Sequence, residues 1–540
     1  MSQPTTPEFG KWRSTLWPIH NYELKKILPM FLMFFFISFN FTILRDTKDT
    51  LVITAPNSGA ETITFLKFWG VLPAAAIIML IYAKLSNKLS KQGLFYATIS
   101  PFIVFFALFA LIIYPNREAL HPNAFCDWLQ GHVPQGFMGL IAMLRNWSYS
   151  IFYILAELWG SVALSLVFWG FANDIMKVTE AKRFYSILGI GANLALLASG
   201  PSIILASNIR SKLPAGVDAW GVSLKFLMGM VAVAGIAIMA IYWWINKNVL
   251  TDPRFYNPEE LVKKKKDKPK MSIVESFKYL ATSKYIGCIA ILVIAYGISI
   301  NIVEVTWKNQ LKLQYPNSND YSTFMGYFST FTGMITTLMM LFVGGNIIRR
   351  LGWGFAALTT PIVLVITGIA FLSFIIFREN LTGVIAMMGT TPLMMAVVIG
   401  MIQNIMSKST KYSLFDPTKE MAYIPLDQEA KVKGKAAIDV VGARLGKSGG
   451  SLMQQGLILF LGSVTAMTPY VGGILLVSVA IWILAARSLN KQFLKLTTKE
   501  KPTEEVAPAE SVEAKEPEAG ATMEGETLSK VAQEEKAPTT

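Results

Sequence analysis

Positions 439–451 read DVVGARLGKSGGS, and Gly446-Lys447-Ser448 resembles the end of a loop that grips phosphate. A true phosphate loop needs a glycine five residues before Gly446, where Val441 stands, and a preceding strand. The stretch lies between long apolar runs and reads as a membrane helix instead. At about 100° per residue, Gly442, Gly446 and Gly450 stack on one face beside Asp439 and Ala443, a small-residue stripe for close helix contact. Arg444, Lys447, Ser448, Ser451, Gln454 and Gln455 share the other side within an arc of about 120°. A charge in a spanning helix costs at least ~2.5–3.5 kcal/mol on insertion scales, so it is kept there for a pathway or a partner.

Other apolar runs carry matching polar stripes. Asn146, Tyr149, Ser150, Tyr153, Glu157 and Ser161 share one side of a helix with Arg145 at its head. Asn301, Glu304 and Lys308 share another, where Glu304 and Lys308 have the spacing of an i,i+4 pair. NFTILRDTKD ends the first run with Ser38, Thr42, Arg45 and Asp49 roughly together, and FLKFW puts Lys67 at the mouth of the second. The plainer reading is snorkelling, in which Asp46, Lys48, Lys67 and Lys308 reach from helix ends to headgroups. It weighs equally with a functional role for Lys48 and Lys308, and Arg444 could be a structural ion pair. Arg145, Glu157, Glu304 and Lys447 resist it, because each belongs to a stripe. Cations outnumber acids in these stripes, which suits a polyanion such as a nucleotide phosphate. Arginine supplies bidentate contact and lysine a mobile point charge. Tyr149 and Tyr153 could stack on a base, although aromatics in membrane helices mostly pack. His20, His121 and His132 fall outside the apolar runs, and Cys126 and Cys288 support neither a disulfide framework nor a zinc site. No metal, cofactor, catalytic nucleophile or nucleic-acid partner is expected.

The elements that must position these residues are apolar helices. Of 540 residues 53% are hydrophobic and 16% charged, with a mean hydropathy of +0.45. That is far too apolar for a soluble core and right for a polytopic membrane protein, since a span needs about 20 apolar residues. Twelve spans are expected, near 27–46, 65–83, 93–114, 138–172, 183–206, 221–246, 285–306, 322–347, 353–377, 384–406, 436–463 and 467–486. The fourth run is too long for one straight crossing, so its start lies along the interface or the helix tilts. Segments on the side of the termini hold 32 Lys and Arg against 10 on the other, which places both termini in the cytoplasm. The expected organisation is a cytoplasmic N-terminus (1–26), a six-helix bundle (27–246), a basic linker with KKKKDKPK (247–284), a second bundle (285–486) and an acidic, largely disordered tail (487–540). EAKRFYSILGIGANLALLASG (180–200) aligns with KVKGKAAIDVVGARLGKSGGS (431–451), and YAKLSNKLSKQ sits where GGNIIRRLGWG sits in the second half. Two such repeats with a midplane site between them is the usual architecture of a secondary transporter.

NFTILRDTKDTL, FLKFWGVLP, YAKLSNKLSK, AELWGS, FWGFAN, NIVEVTWK, STKYSLFDPTKEMAYIPLD and VKGKAAIDV with LGKSGG resemble the ATP/ADP translocase family of obligate intracellular bacteria and plant plastids, over about Asn21 to Leu496. The resemblance implies an all-α, major-facilitator-like fold that exchanges external ATP for internal ADP, with phosphate as an open companion of ADP. It implies transport roles for Lys67, Glu157, Glu304 and Lys447; Lys67 is singled out by the resemblance alone. The absence of a transit peptide points to a bacterial member, a monomer in the inner membrane. In the mechanism expected, Lys447, Arg444, Arg145, Arg45 and Lys67 receive the phosphates. Glu157 and Glu304 neutralise cations in the empty state. The rival readings are a proton-coupled nucleoside triphosphate importer of the same family, a membrane enzyme acting on nucleotides, and a nucleotide-gated channel.

Overall fold

The computed structural model describes residues 19–176, 178–256, 283–426, 434–435, 438 and 442–499. These hold helices and no strand. Twelve long helices are described: α1 (Leu24–Ile53), α2 (Ala60–Lys88), α3 (Lys91–Ile113), α4 (Trp147–Ile175), α5 (Val178–Ser207), α6 (Ala219–Asn248), α7 (Lys284–Gln314), α8 (Ser318–Leu338), α9 (Gly345–Phe377), α10 (Pro392–Thr410), α11 (Ala443–Leu461) and α12 (Val464–Lys499). The KKKKDKPK segment, Asp439 and residues 500–540 lie outside the described residues, whereas residues 487–499, expected as the start of a largely disordered tail, continue α12 as helix.

Among the described residues, nine stretches are long and apolar enough to cross a membrane, against the twelve expected. One of the nine, Ser318–Met387, runs through two expected spans. The spans expected at 384–406 and 436–463 overlie α10 and α11, whose polar residues keep them below that measure. The long stretch is no single rod. Gly352, at φ +81° and ψ 173°, breaks α9 just after the basic GGNIIRR turn. A side chain would strain that backbone, whereas glycine adopts it freely. The overlong fourth run is likewise broken, at Asn146 (φ −100°, ψ 46°), into a short helix Met138–Arg145 and then α4.

The molecule is apolar outside and charged inside. Leu205, Val233 and Phe460 are 75%, 69% and 92% exposed, whereas Asp46 and Asp49 are 0% and 1% exposed. Lipid rewards that inversion and water does not. Buried indoles stitch the helices. Trp159 donates to the Ile37 carbonyl at 3.1 Å, tying α4 to α1, and Trp307 donates to the Val397 carbonyl at 3.0 Å, tying α7 to α10. Two seams bring backbones almost into contact. In the first, α5 lies along α8, where a Cβ on Gly200 would sit 2.1 Å from Thr330 Oγ1 and one on Gly326 2.9 Å from the Gly200 carbonyl. In the second, α11 lies along α7, where a Cβ on Gly446 would sit 3.0 Å from the Ile294 carbonyl oxygen and 3.1 Å from Gly297 Cα. The glycine stripe read from the sequence therefore faces α7.

Candidate transport site

The end of α1 carries Lys48 and Asp49 into the centre, against α4 and α7. Lys48 Nζ lies 2.8 Å from Asp49 Oδ1 and 3.2 Å from Glu157 Oε2. Lys308 Nζ lies 2.8 Å from Asp49 Oδ2 and 3.2 Å from Glu304 Oε1. Lys408, on α10, completes the row at 3.4 Å from the same Glu304 oxygen. The order is Glu157–Lys48–Asp49–Lys308–Glu304–Lys408, three carboxylates and three ammoniums in one continuous chain. The two outer lysines also rest on aromatic faces, Lys48 3.9 Å from the Tyr153 ring centre and Lys408 4.7 Å from that of Phe328.

Two further cations adjoin this self-neutralised chain. Lys67 Nζ donates to Asn301 Oδ1 at 2.5 Å. The Asn301 amide in turn donates to Ser451 Oγ at 2.8 Å and to the Lys447 carbonyl at 3.2 Å. The Lys447 side chain is exposed and makes no ion pair with any described residue. Both Lys67 and Lys447 lie within electrostatic reach of Glu157, and Lys67 within reach of Glu304. Arg45 borders the chamber but is already matched. Its guanidinium pairs with Asp46 at 2.9 Å and donates to Ser329 Oγ at 2.7 Å. Among the described residues the site thus holds a surplus of two positive charges, Lys67 and Lys447, beside carboxylates that already have partners.

Local irregularities set this geometry. Lys67 sits in a π-helical turn, Leu66–Val71, inside α2. A second such turn, Lys411–Phe415, follows Lys408 on α10. A π turn inserts an extra residue and re-aims the side chains beyond it, and such turns recur at functional sites.

The structure brings together Lys67, Tyr153, Glu157, Asn301, Glu304 and Lys447, with Arg45 at the border. It does not bring Arg145, Asn146 or Tyr149 there, which corrects the expectation of one continuous stripe. The break at Asn146 is the reason for Arg145 and Asn146, because the helical arc does not extend through it; Tyr149 shares α4 with Glu157 but stands about two turns away along it. Arg145 donates to Asp127 at 2.6 Å and Gln130 at 2.9 Å, anchoring the short helix Asn123–Gln130. Asn146 donates to the Pro56 and Ala142 carbonyls. Tyr149 stacks on Tyr114 at 5.9 Å and meets His121 edge-on at 5.0 Å, so it is packing. The side chain of Arg444 lies outside the described residues. Of the rest of the polar face on α11, Gln454 and Gln455 reach the Ile302 and Thr64 carbonyls. Reading the sequence missed Lys408, two residues past the span expected at 384–406, and left Lys48 and Lys308 undecided. A carboxylate count held the missing signal: Asp49, Glu157 and Glu304 need three buried cations.

A family profile described as the TLC ATP/ADP transporter matches residues 2–493. This chain belongs to that family. It is 64% identical over 515 residues to "ADP,ATP carrier protein 1" of Chlamydia pneumoniae, covering 95% of this chain and 100% of that one. It is 54% identical to the chloroplastic ADP,ATP carrier protein 1 of Arabidopsis thaliana, over 91% of this chain and 77% of the relative. With ADP,ATP carrier protein 1 of Rickettsia prowazekii it shares 46% identity, over 90% and 97% of the two chains. Among solved structures, a bacterial homologue of the iron transporter ferroportin, in its inward-facing state, aligns with 89% of this chain and all of its own. The TM-score is 0.50 and the identity 12%. At that identity the likeness concerns the fold, an all-helical, major-facilitator-like transporter architecture. The four positions to which the sequence resemblance assigns transport roles, Lys67, Glu157, Glu304 and Lys447, lie in series within electrostatic reach of one another around the ion-pair chain, Lys447 and Lys67 of Glu157 and Lys67 of Glu304.

Proposed function

We propose that this protein is a secondary transporter that exchanges ATP for ADP by alternating access, with the phosphates in the chamber beside α7. The observation that carries the reading is the pair of surplus cations, Lys67 and Lys447, next to an ion-pair chain that is neutral on its own. The ion-pair chain keeps its own six charges compensated without a ligand, which avoids the cost of isolated buried charge, and leaves Lys67 and Lys447 over. A polyphosphate supplies the missing anions and competes for Lys48, Lys308 and Lys408 as well. The names of the relatives, ADP,ATP carrier proteins, agree with this chemistry.

The halves that rock are 27–246 and 285–486, six helices each, joined by the basic linker 247–284, and the chain crosses the bacterial inner membrane twelve times. Residues 1–26 and 487–540 face the cytoplasm. The protein works as a monomer, and inorganic phosphate accompanies ADP.

Purified protein in liposomes tests the exchange. Labelled ATP should enter vesicles preloaded with ADP and stay out of vesicles without nucleotide, and dissipating a pH gradient should not stop it. Uptake that needs the gradient and ignores internal ADP refutes the exchange reading. Labelled phosphate inside the same vesicles checks its departure with ADP.

A further inference from the structure

The two halves touch through many contacts on the side where α1 and α7 end. Thr54 Oγ1 lies 2.7 Å from Ser318 Oγ, and Lys312 donates to the Ser58 carbonyl. Asn319 donates to the Ser207 carbonyl at 3.0 Å, and Gln455 to that of Thr64 at 2.7 Å. Side-chain exposure follows the same polarity. Lys48, Asp49 and Lys308 are 2–4% exposed on this side, whereas Glu157 is 27% exposed and Lys447 is open on the other. The structure is therefore closed where α1 and α7 end and open toward Lys447.

Of the ion pairs between described residues, two join the halves. Arg210–Asp320 is at the surface, with side chains 50% and 51% exposed. Asp49–Lys308 is buried. Asp49 divides its two oxygens, Oδ1 to Lys48 of its own half and Oδ2 to Lys308 of the other. Each of those lysines also holds one of the chamber's glutamates, Lys48 with Glu157 and Lys308 with Glu304. Asp49 is thus the one carboxylate through which the two glutamate–lysine pairs are joined across the interface.

We infer that Asp49 is the positioning residue that makes exchange obligatory. It latches the empty carrier in the conformation seen here, and a bound polyphosphate releases the latch by competing for Lys48 and Lys308. A carrier that has discharged its nucleotide then cannot reopen on the far side until another nucleotide binds. The inference rests on the transport reading above and adds to it the residue that forbids empty return.

Asp49→Asn removes the latch at the cost of one uncompensated positive charge, yet leaves every lysine a carboxylate neighbour: Lys48 keeps Glu157, while Lys308 and Lys408 share Glu304. Lys308→Gln also removes it, with the opposite charge left over: Asp49 and Glu157 share Lys48, and Glu304 keeps Lys408. The readout is the ratio of ATP uptake into nucleotide-free liposomes to uptake into ADP-loaded ones. The amount of folded protein cancels from that ratio, so a merely structural role would not move it. Both variants should raise it about tenfold or more, the factor set by weakening a tie by one decade of equilibrium constant. Asp49→Glu should restore the wild-type ratio, and Arg210→Ala should leave it unchanged. A wild-type ratio in either inserted latch variant overturns the inference. Failure of the wild-type protein to exchange at all would instead refute the transport reading.

Discussion

One helix, α1, carries a buried lysine near each end, and the two are held in opposite ways. Lys26, at its start, is fully buried and spends its ammonium on Glu180 at 2.7 Å and on the Ile175 and Phe255 carbonyls at 2.8 and 2.9 Å. An ammonium has three protons to give, and each of these has a fixed acceptor. Beside it, Glu23 takes both arms of Arg183 at 2.6 and 2.8 Å, the strong bidentate form. Lys48, near the other end, divides itself between Asp49 and Glu157 and leans on a tyrosine face. Its carboxylates belong to a chain in which every partner is shared, with two extra cations alongside. A cluster whose donors all have fixed acceptors fastens helices together. A cluster of shared partners and surplus charge can exchange one partner for a ligand.

Substitutions at the two ends should therefore fail differently. Lys26→Met should have the largest effect on the folded protein, about 3–5 kcal/mol, because it breaks a buried ion pair and removes the donor shared by the Ile175 and Phe255 carbonyls. Thermal unfolding in detergent measures it, and exchange per folded molecule should stay near wild type. Lys447→Glu should do the reverse, lowering ATP exchange about a hundredfold (~2.7 kcal/mol) with little change in unfolding temperature, since its side chain is exposed and unpaired. Equal loss of stability in both variants would erase the distinction between the clusters. Gly446→Val tests the seam that carries Lys447. Added bulk against the α7 backbone should cost ~1–3 kcal/mol of stability. Arg210→Ala marks the lower end. Its pair with Asp320 joins the same two halves but is half exposed, so its removal should cost less than ~1 kcal/mol and its effect should fade with salt.

Much of this was legible in the sequence where a single regular helix suffices. Glu157 with Tyr153, Glu304 with Asn301, and the glycines opposite Lys447 each fall on one arc of an unbroken stretch, and each arc survives in the fold. Legibility ends where the helix changes its turn. Arg145 shares an arc with Glu157 only if the helix runs straight through Asn146, and the break there has no strong local signature; Tyr149 lies past the break and is set apart by its height along α4. Lys67 lies in a π turn, where an arc counted at α-helical spacing does not apply, and only the family resemblance marked it. Lys408 was hidden by a boundary placed two residues short, because its helix continues into the second π turn instead of ending. Lys48 and Lys308 posed a different problem. Their environment depends on Asp49 bridging segments more than 250 residues apart, and no local pattern reports such a pairing.

The seam between α5 and α8 has a mechanical corollary. Where Gly200 and Gly326 let two backbones approach, only a few side chains, Thr330 and Ile204 among them, fill the seam. Such a shallow seam behaves more as a bearing than as a gear: one rod can turn against the other with few side chains to disengage. When the halves rock, much of the resistance then falls on the polar clasps at the rim.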